Sequence, residues 1–141
     1  MRGSRLFTSI FIASVAACAN AGDNCQAPGN VARVDDRNER LFVIASESDI
    51  AGPTKIEKIV EGAGSYIAAC RRDWSSKWSV SAFSDKKYAA YKDEPQVAPY
   101  IENGEWQKAY LAEYDNSDAS LVRFPLQPTR RVQTVLKKRT Q

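Results

Sequence analysis

Histidine is absent from the 141-residue sequence. Its absence removes the commonest general base and the commonest metal ligand. Triads built on imidazole are excluded, and proton transfer is left to carboxylate, lysine or tyrosine. Cysteine is scarce: Cys18, Cys25 and Cys70 are the complete set. Long apolar runs are lacking as well. Beyond residue 17 nothing approaches the roughly 20 residues a membrane-spanning helix needs. Internal repeats and low-complexity tracts are also missing, and no motif calls for a cofactor. Net charge is only +3 and falls to near +1 once Arg2 and Arg5 are discounted, so there is no electrostatic footprint for nucleic acid.

What is present begins with a short cationic stretch, Met1 to Arg5, followed by a mostly apolar run from Leu6 to Ala17. That pattern predicts a bacterial-type secretory signal. Two processing sites compete. Ala19-Asn20-Ala21 fits the small-x-small rule and frees Gly22, which is the preferred reading. Val15-Ala16-Ala17-Cys18 resembles a lipobox and makes Cys18 a lipidated first residue, the only route to a membrane. The expected organisation is a signal over 1–21, one domain over 22–128 and a basic tail over 129–141. Either processing route leaves Cys25 and Cys70, which an exported chain is expected to bridge. With both cysteines bridged, no Cys/His zinc site remains.

Periodicity supplies the elements. Val31 to Val34 reads as a short edge strand, and the apolar run Leu41 to Ala45 as a central strand covered on both faces. Thr54 and Glu57 have capping-box spacing. Ile56, Ile59, Val60, Ala63, Ile67 and Cys70 then lie along one helical face, and Gly62 and Gly64 are expected to pack closely on a sheet. Trp78 to Phe83 alternates as a strand with Trp78, Val80 and Ala82 inward. Ser84 is expected to cap a short helix over Asp85 to Asp93, and Pro95, Pro99 and Asn103-Gly104 mark a loop. Trp106 to Tyr114 and Ala119 to Phe124 read as a hairpin closed by Asp115 to Asp118, and Val132 to Lys138 as a weak terminal helix. The expected fold is α+β. It has a mostly antiparallel small sheet in the order β-α-β-α-β-β, one long amphipathic helix on one face and an N-terminal segment stapled by disulfide.

Pairing Tyr114 with Ala119 puts Leu111 opposite Val122 and Ala109 opposite Phe124, an apolar face expected to meet the helix. The other face gathers Trp106, Lys108, Tyr110, Tyr114 and Arg123, residue types enriched at binding hot spots, with Tyr110 directly across from Arg123. Two outcomes stay open for it: an exposed partner surface, or a second core layer covered by the Tyr88/Tyr91 helix or the C-terminal segment. Catalytic patterns are thin. Ser84 to Lys87 matches S-x-x-K without the companion motifs. Asp93, Glu94, Glu102, Glu105 and Glu113 have no spacing that fixes a carboxylate pair, and Asp115 with Asp118 are ordinary turn residues. The expectation is an exported, non-enzymatic binding protein, of inhibitor or immunity type, that engages a protein partner in the cell envelope. The alternatives are a small lipoprotein of a larger envelope assembly, or an envelope enzyme using carboxylates or Ser84 with Lys87.

Overall fold

The computed structural model describes residues 25–124 and 130–131. Six strands form one mixed sheet in sequential order: β1 Val31–Asp35, β2 Arg40–Ile44, β3 Ser79–Phe83, β4 Tyr110–Asp115, β5 Ser120–Arg123 and β6 Arg130–Arg131. The expected α+β class holds, but the sheet is mixed rather than mostly antiparallel. β2 and β3 run parallel, with Leu41 beside Val80 and Val43 beside Ala82. The cause lies in the connection between them. Antiparallel neighbours can be joined by a tight turn, whereas these two strands are linked by a helical crossover that returns the chain to the same end.

That crossover contains two helices, α1 Glu47–Ala51 and α2 Pro53–Cys70. The capping box stands one helix earlier than the sequence pattern indicates. Ser46 accepts from the Asp49 amide and Asp49 accepts from the Ser46 amide, which starts α1. α2 opens on Gly52 with Pro53 in its first turn and no side-chain cap, a position that tolerates proline because its amide has no helical partner anyway. The inward face of α2 is as expected: Ile56, Val60, Ala63 and Ile67 are buried. They pack on Leu41, Val43, Val80 and Ala82 with Trp74 and Trp78.

At the C-terminal end of α2, Cys70 bridges Cys25 across a Cα–Cα distance of 5.3 Å. Arg71 reinforces the same corner through an ion pair of 2.9 Å with Asp36, to which Trp74 also donates at 3.0 Å. Gly62 does not pack against the sheet: a Cβ there would meet nothing within 4 Å. Gly62→Ala is therefore expected to stabilise the protein by about 1 kcal/mol, the ordinary helical penalty of glycine, measured as a shift in the urea midpoint at unchanged slope.

The opposite sheet face is also covered, which explains the unbroken apolar run in β2: Leu41, Phe42 and Val43 are each at most 1% exposed. Its cover comes from residues 84–109. The segment contains 3-10 turns at Lys86–Tyr88 and Pro95–Val97 and two short helices, α3 Ala98–Ile101 and α4 Glu105–Ala109. Ala90, Val97 and Trp106 pack on Phe42 and Phe83, with Tyr88, Tyr91, Tyr100 and Tyr110 around them. The cap of the first 3-10 turn is Asp85, which accepts from the Lys87 amide, rather than Ser84. Only three residues of the expected 85–93 helix form. Gly104 enters α4 at φ +75°, a left-handed turn that glycine adopts without strain. Among the described residues no helix is long and apolar enough to cross a membrane. The expected helix over Val132 to Lys138 lies outside the described residues, and so does Cys18.

Three corrections concern the C-terminal hairpin. Trp106 to Ala109 is helix, so β4 begins at Tyr110. The turn is Asn116 to Ala119, with Ala119 at φ +54°. The register is therefore two residues off the expected one: Tyr114 pairs with Leu121, Glu113 with Val122 and Ala112 with Arg123. The faces are exchanged as well. Tyr114, Ala112 and Leu121 lie under α2, while Glu113 and Val122 share the other side, so Tyr110 is not opposite Arg123.

Candidate functional site

The site is created by an irregularity. Between β3 and β4 the register slips at Ala82/Phe83, so that Ala112 pairs with Ala82 but Tyr110 with Phe83. Leu111 is the extra residue of this bulge. Bulges bend a strand and re-aim its neighbours, and here Leu111 turns toward the α2 core while Tyr110 turns to the other face. The splayed end of β4 leaves a groove of about 880 Å³ between α1 on one side and α4 with the ends of β4 and β5 on the other.

The groove floor and walls are largely apolar: Ile50 and Ala51 from α1, Trp106 from α4, then Leu111 and Phe124. An aromatic stack makes the second wall rigid. The Tyr110 ring lies on Phe83 at 4.8 Å and near-parallel, with Phe124 at 4.6 Å and Trp106 at 5.3 Å. Trp106 is pinned by its indole N–H, which donates to the Ala90 carbonyl at 3.1 Å. Tyr110 donates to Glu113 at 2.6 Å. Burial, with the Glu113 carboxylate beside it, pushes the Tyr110 phenol well above its ordinary range and favours its protonated form.

Lys108 and Arg123 stand at the rim, and Glu47 lies on the α1 side. Four of the five residues expected to form a binding face, Trp106, Lys108, Tyr110 and Arg123, thus meet at one groove, though not on one strand face. The fifth, Tyr114, is only 1% exposed and belongs to the core under α2. Trp106 is itself mostly buried, so of the two outcomes open for the aromatics, much of the set forms a second core layer while its edge lines the groove. Glu47, Ile50 and Ala51 escaped the sequence reading. The Ser46-Glu47-Ser48-Asp49 capping pattern carried the signal for the helix that presents them.

Several other polar groups pair with one another. On the sheet face away from α2, Arg33 holds Glu94 with contacts of 2.7 and 2.8 Å. Arg40 reaches Ser81 at 2.7 Å and Glu113 at 3.0 Å, and Tyr91 donates to Asp35 at 2.7 Å. The hydrogen bond and charge of Arg33 hold Glu94 below the usual carboxylate range. Burial works against the Asp35 carboxylate, but hydrogen bonds from Asn38 and Tyr91 outweigh it and lower its pKa. Desolvation and the bond to Asp35 raise Tyr91 to about 12. Both carboxylate shifts favour the ionised form of Glu94 and Asp35, as partners in a scaffold. Lys87 lies over the Tyr88 and Tyr100 rings at 4.8 and 5.6 Å. Asp115 and Asp118 accept from the Ser117 and Ser120 amides in the hairpin turn. Among the described residues no group of three or more acids and cysteines is placed to hold a metal. In comparisons with known proteins, no family model, curated protein or solved structure matches this chain.

Proposed function

We propose that this chain is an exported, non-enzymatic binding protein whose ligand in the cell envelope seats in the groove between α1 and the β4–β5 end. The observation that carries this reading is the place of Arg123 beside the groove with no ion pair among the described residues. Four arginines among the described residues are partly buried: Arg33, Arg40, Arg71 and Arg123. The first three each hold a carboxylate. Arg123 has no ion pair among the described residues, and it borders the apolar groove. A cation that stands beside an apolar groove with no counter-charge among the described residues is suited to an anionic ligand. Export is supported by the leader pattern and by the Cys25–Cys70 bridge, since such bridges persist in oxidising compartments.

The test is photocrosslinking from Gln107, an exposed residue on the groove wall, with the probe residue also placed at Glu61 on the exposed side of α2 as a control. Crosslinks to an envelope component are expected from Gln107 and not from Glu61. Arg123→Glu should reduce them about tenfold, the size of one lost charge-assisted contact, without changing the melting temperature. Equal crosslinking from both positions, or indifference to Arg123→Glu, refutes the assignment.

A further inference from the structure

Taking the groove as the binding site, we infer that its ligand is a single-chain fatty carboxylate, the alkyl tail lying along Ile50, Leu111, Trp106 and Phe124 and the anionic head resting on Arg123 and Lys108; this identification rests on that reading of the groove. Three observations lead to it.

The first is charge. Neither Lys108 nor Arg123 has an ion pair among the described residues. Glu47 borders the groove but pairs with neither cation. Two cations on one side of an apolar groove suit an anionic head group.

The second is the lining. An apolar cleft of roughly 300–1,000 Å³ with a few polar groups is the usual form of a small-ligand site, and 880 Å³ falls within it. A peptide laid in this groove would bring amide groups that need partners against walls made mostly of apolar side chains, at a cost for each one left unmet. An alkyl chain brings none.

The third is polarity along the groove. Both cations stand on the wall formed by α4 and β5, and Glu47 stands on the α1 wall. A second anionic group near Glu47 would be repelled, so one charged end and an uncharged body fit best.

Isothermal titration of the full mature protein with octanoate, decanoate and dodecanoate, each below its micelle-forming concentration, tests the inference. Affinity should rise about fourfold per added methylene, the value of one buried CH₂. Arg123→Glu should weaken dodecanoate at least tenfold, and Lys108→Glu, at an exposed position, repeats the test if Arg123→Glu perturbs folding. Dodecyltrimethylammonium, with the same tail and a cationic head, should bind at least tenfold more weakly than dodecanoate. Affinity independent of chain length, equal binding of the cationic analogue, or no binding overturns the inference. If the carboxylates fail while the Gln107 probe still captures an envelope protein in an Arg123-dependent manner, the fatty ligand is wrong and the binding-protein reading stands. If the Gln107 crosslink falls within residues 125–141 of the same chain, or in a second copy of it, the groove is covered by the protein itself and both fall.

Discussion

Reduction of the protein, or replacement of both Cys25 and Cys70 by serine, is expected to lower its stability by about 4 kcal/mol. The bridge spans a sequence separation of 45 residues, and the chain-entropy relation gives about that value for a loop of this size. The closed loop contains β1, β2 and both helices of the crossover. The unfolded chain without the bridge therefore gains freedom over nearly half of the folded part. In the native state the same bond ties the segment ahead of β1 to the last turn of α2. A domain of this size has only about 5–15 kcal/mol of net stability, so the loss should be visible at once as a lower urea midpoint. The measurement is equilibrium unfolding with and without a thiol reductant, read by far-ultraviolet circular dichroism. A change under about 1 kcal/mol would mean that the staple adds little to a sheet and helix that already hold together.

The elements legible in the sequence are those with an uninterrupted period. The α2 face shows because Ile56, Val60, Ala63 and Ile67 repeat at helical spacing. β3 shows because Trp78, Val80 and Ala82 alternate with serines. β2 shows as an apolar run because its two faces are buried by different structures, α2 on one side and the aromatic segment on the other. Where local signals compete, tertiary context decides. Glu105 to Ala109 has too few residues to display a helical period and merges with the strand that follows, so the boundary at Tyr110 is hidden. The bulge at Leu111 leaves no mark of its own, yet it is what turns Leu111 and Tyr110 apart and opens the groove. The parallel β2–β3 pairing follows from the length of the crossover, 34 residues between Ile44 and Ser79, and that feature was available in the pattern of elements. Of the candidate site, the residue types were legible, because tryptophan, tyrosine, lysine and arginine cluster between positions 106 and 123. Their arrangement was not, because it depends on a two-residue register difference that the turn residues alone do not fix: Ala119 takes the left-handed conformation that the preceding Asp-Asn-Ser-Asp sequence would more readily be assigned.

Tyr114→Ala is expected to cost about 3–5 kcal/mol, the range for truncating a fully buried large aromatic. Tyr114 pairs with Val80 and Leu121 across the sheet. Its ring lies 5.5 Å from that of Trp78, and its hydroxyl donates to Asn116 at 3.1 Å. Truncation leaves a cavity beneath α2 that the surrounding strands, fixed by their ladders, cannot close. Tyr114→Phe retains the ring and gives up only the hydroxyl contact, so its cost should be near 1 kcal/mol. Val122→Ala is the counterpart on the opposite parity. Val122 is only half-buried on the side away from α2, and its truncation should cost no more than about 1 kcal/mol, in line with removing a partly exposed aliphatic group. Urea unfolding of the three variants measures the hairpin's orientation directly. The expected order of loss is Tyr114→Ala far above the other two. If Val122→Ala costs more than Tyr114→Ala, then the face holding Leu121 and Tyr114 is not the one beneath the helix. The bulge that builds the groove would then be misplaced, and Arg123 would not stand at its rim.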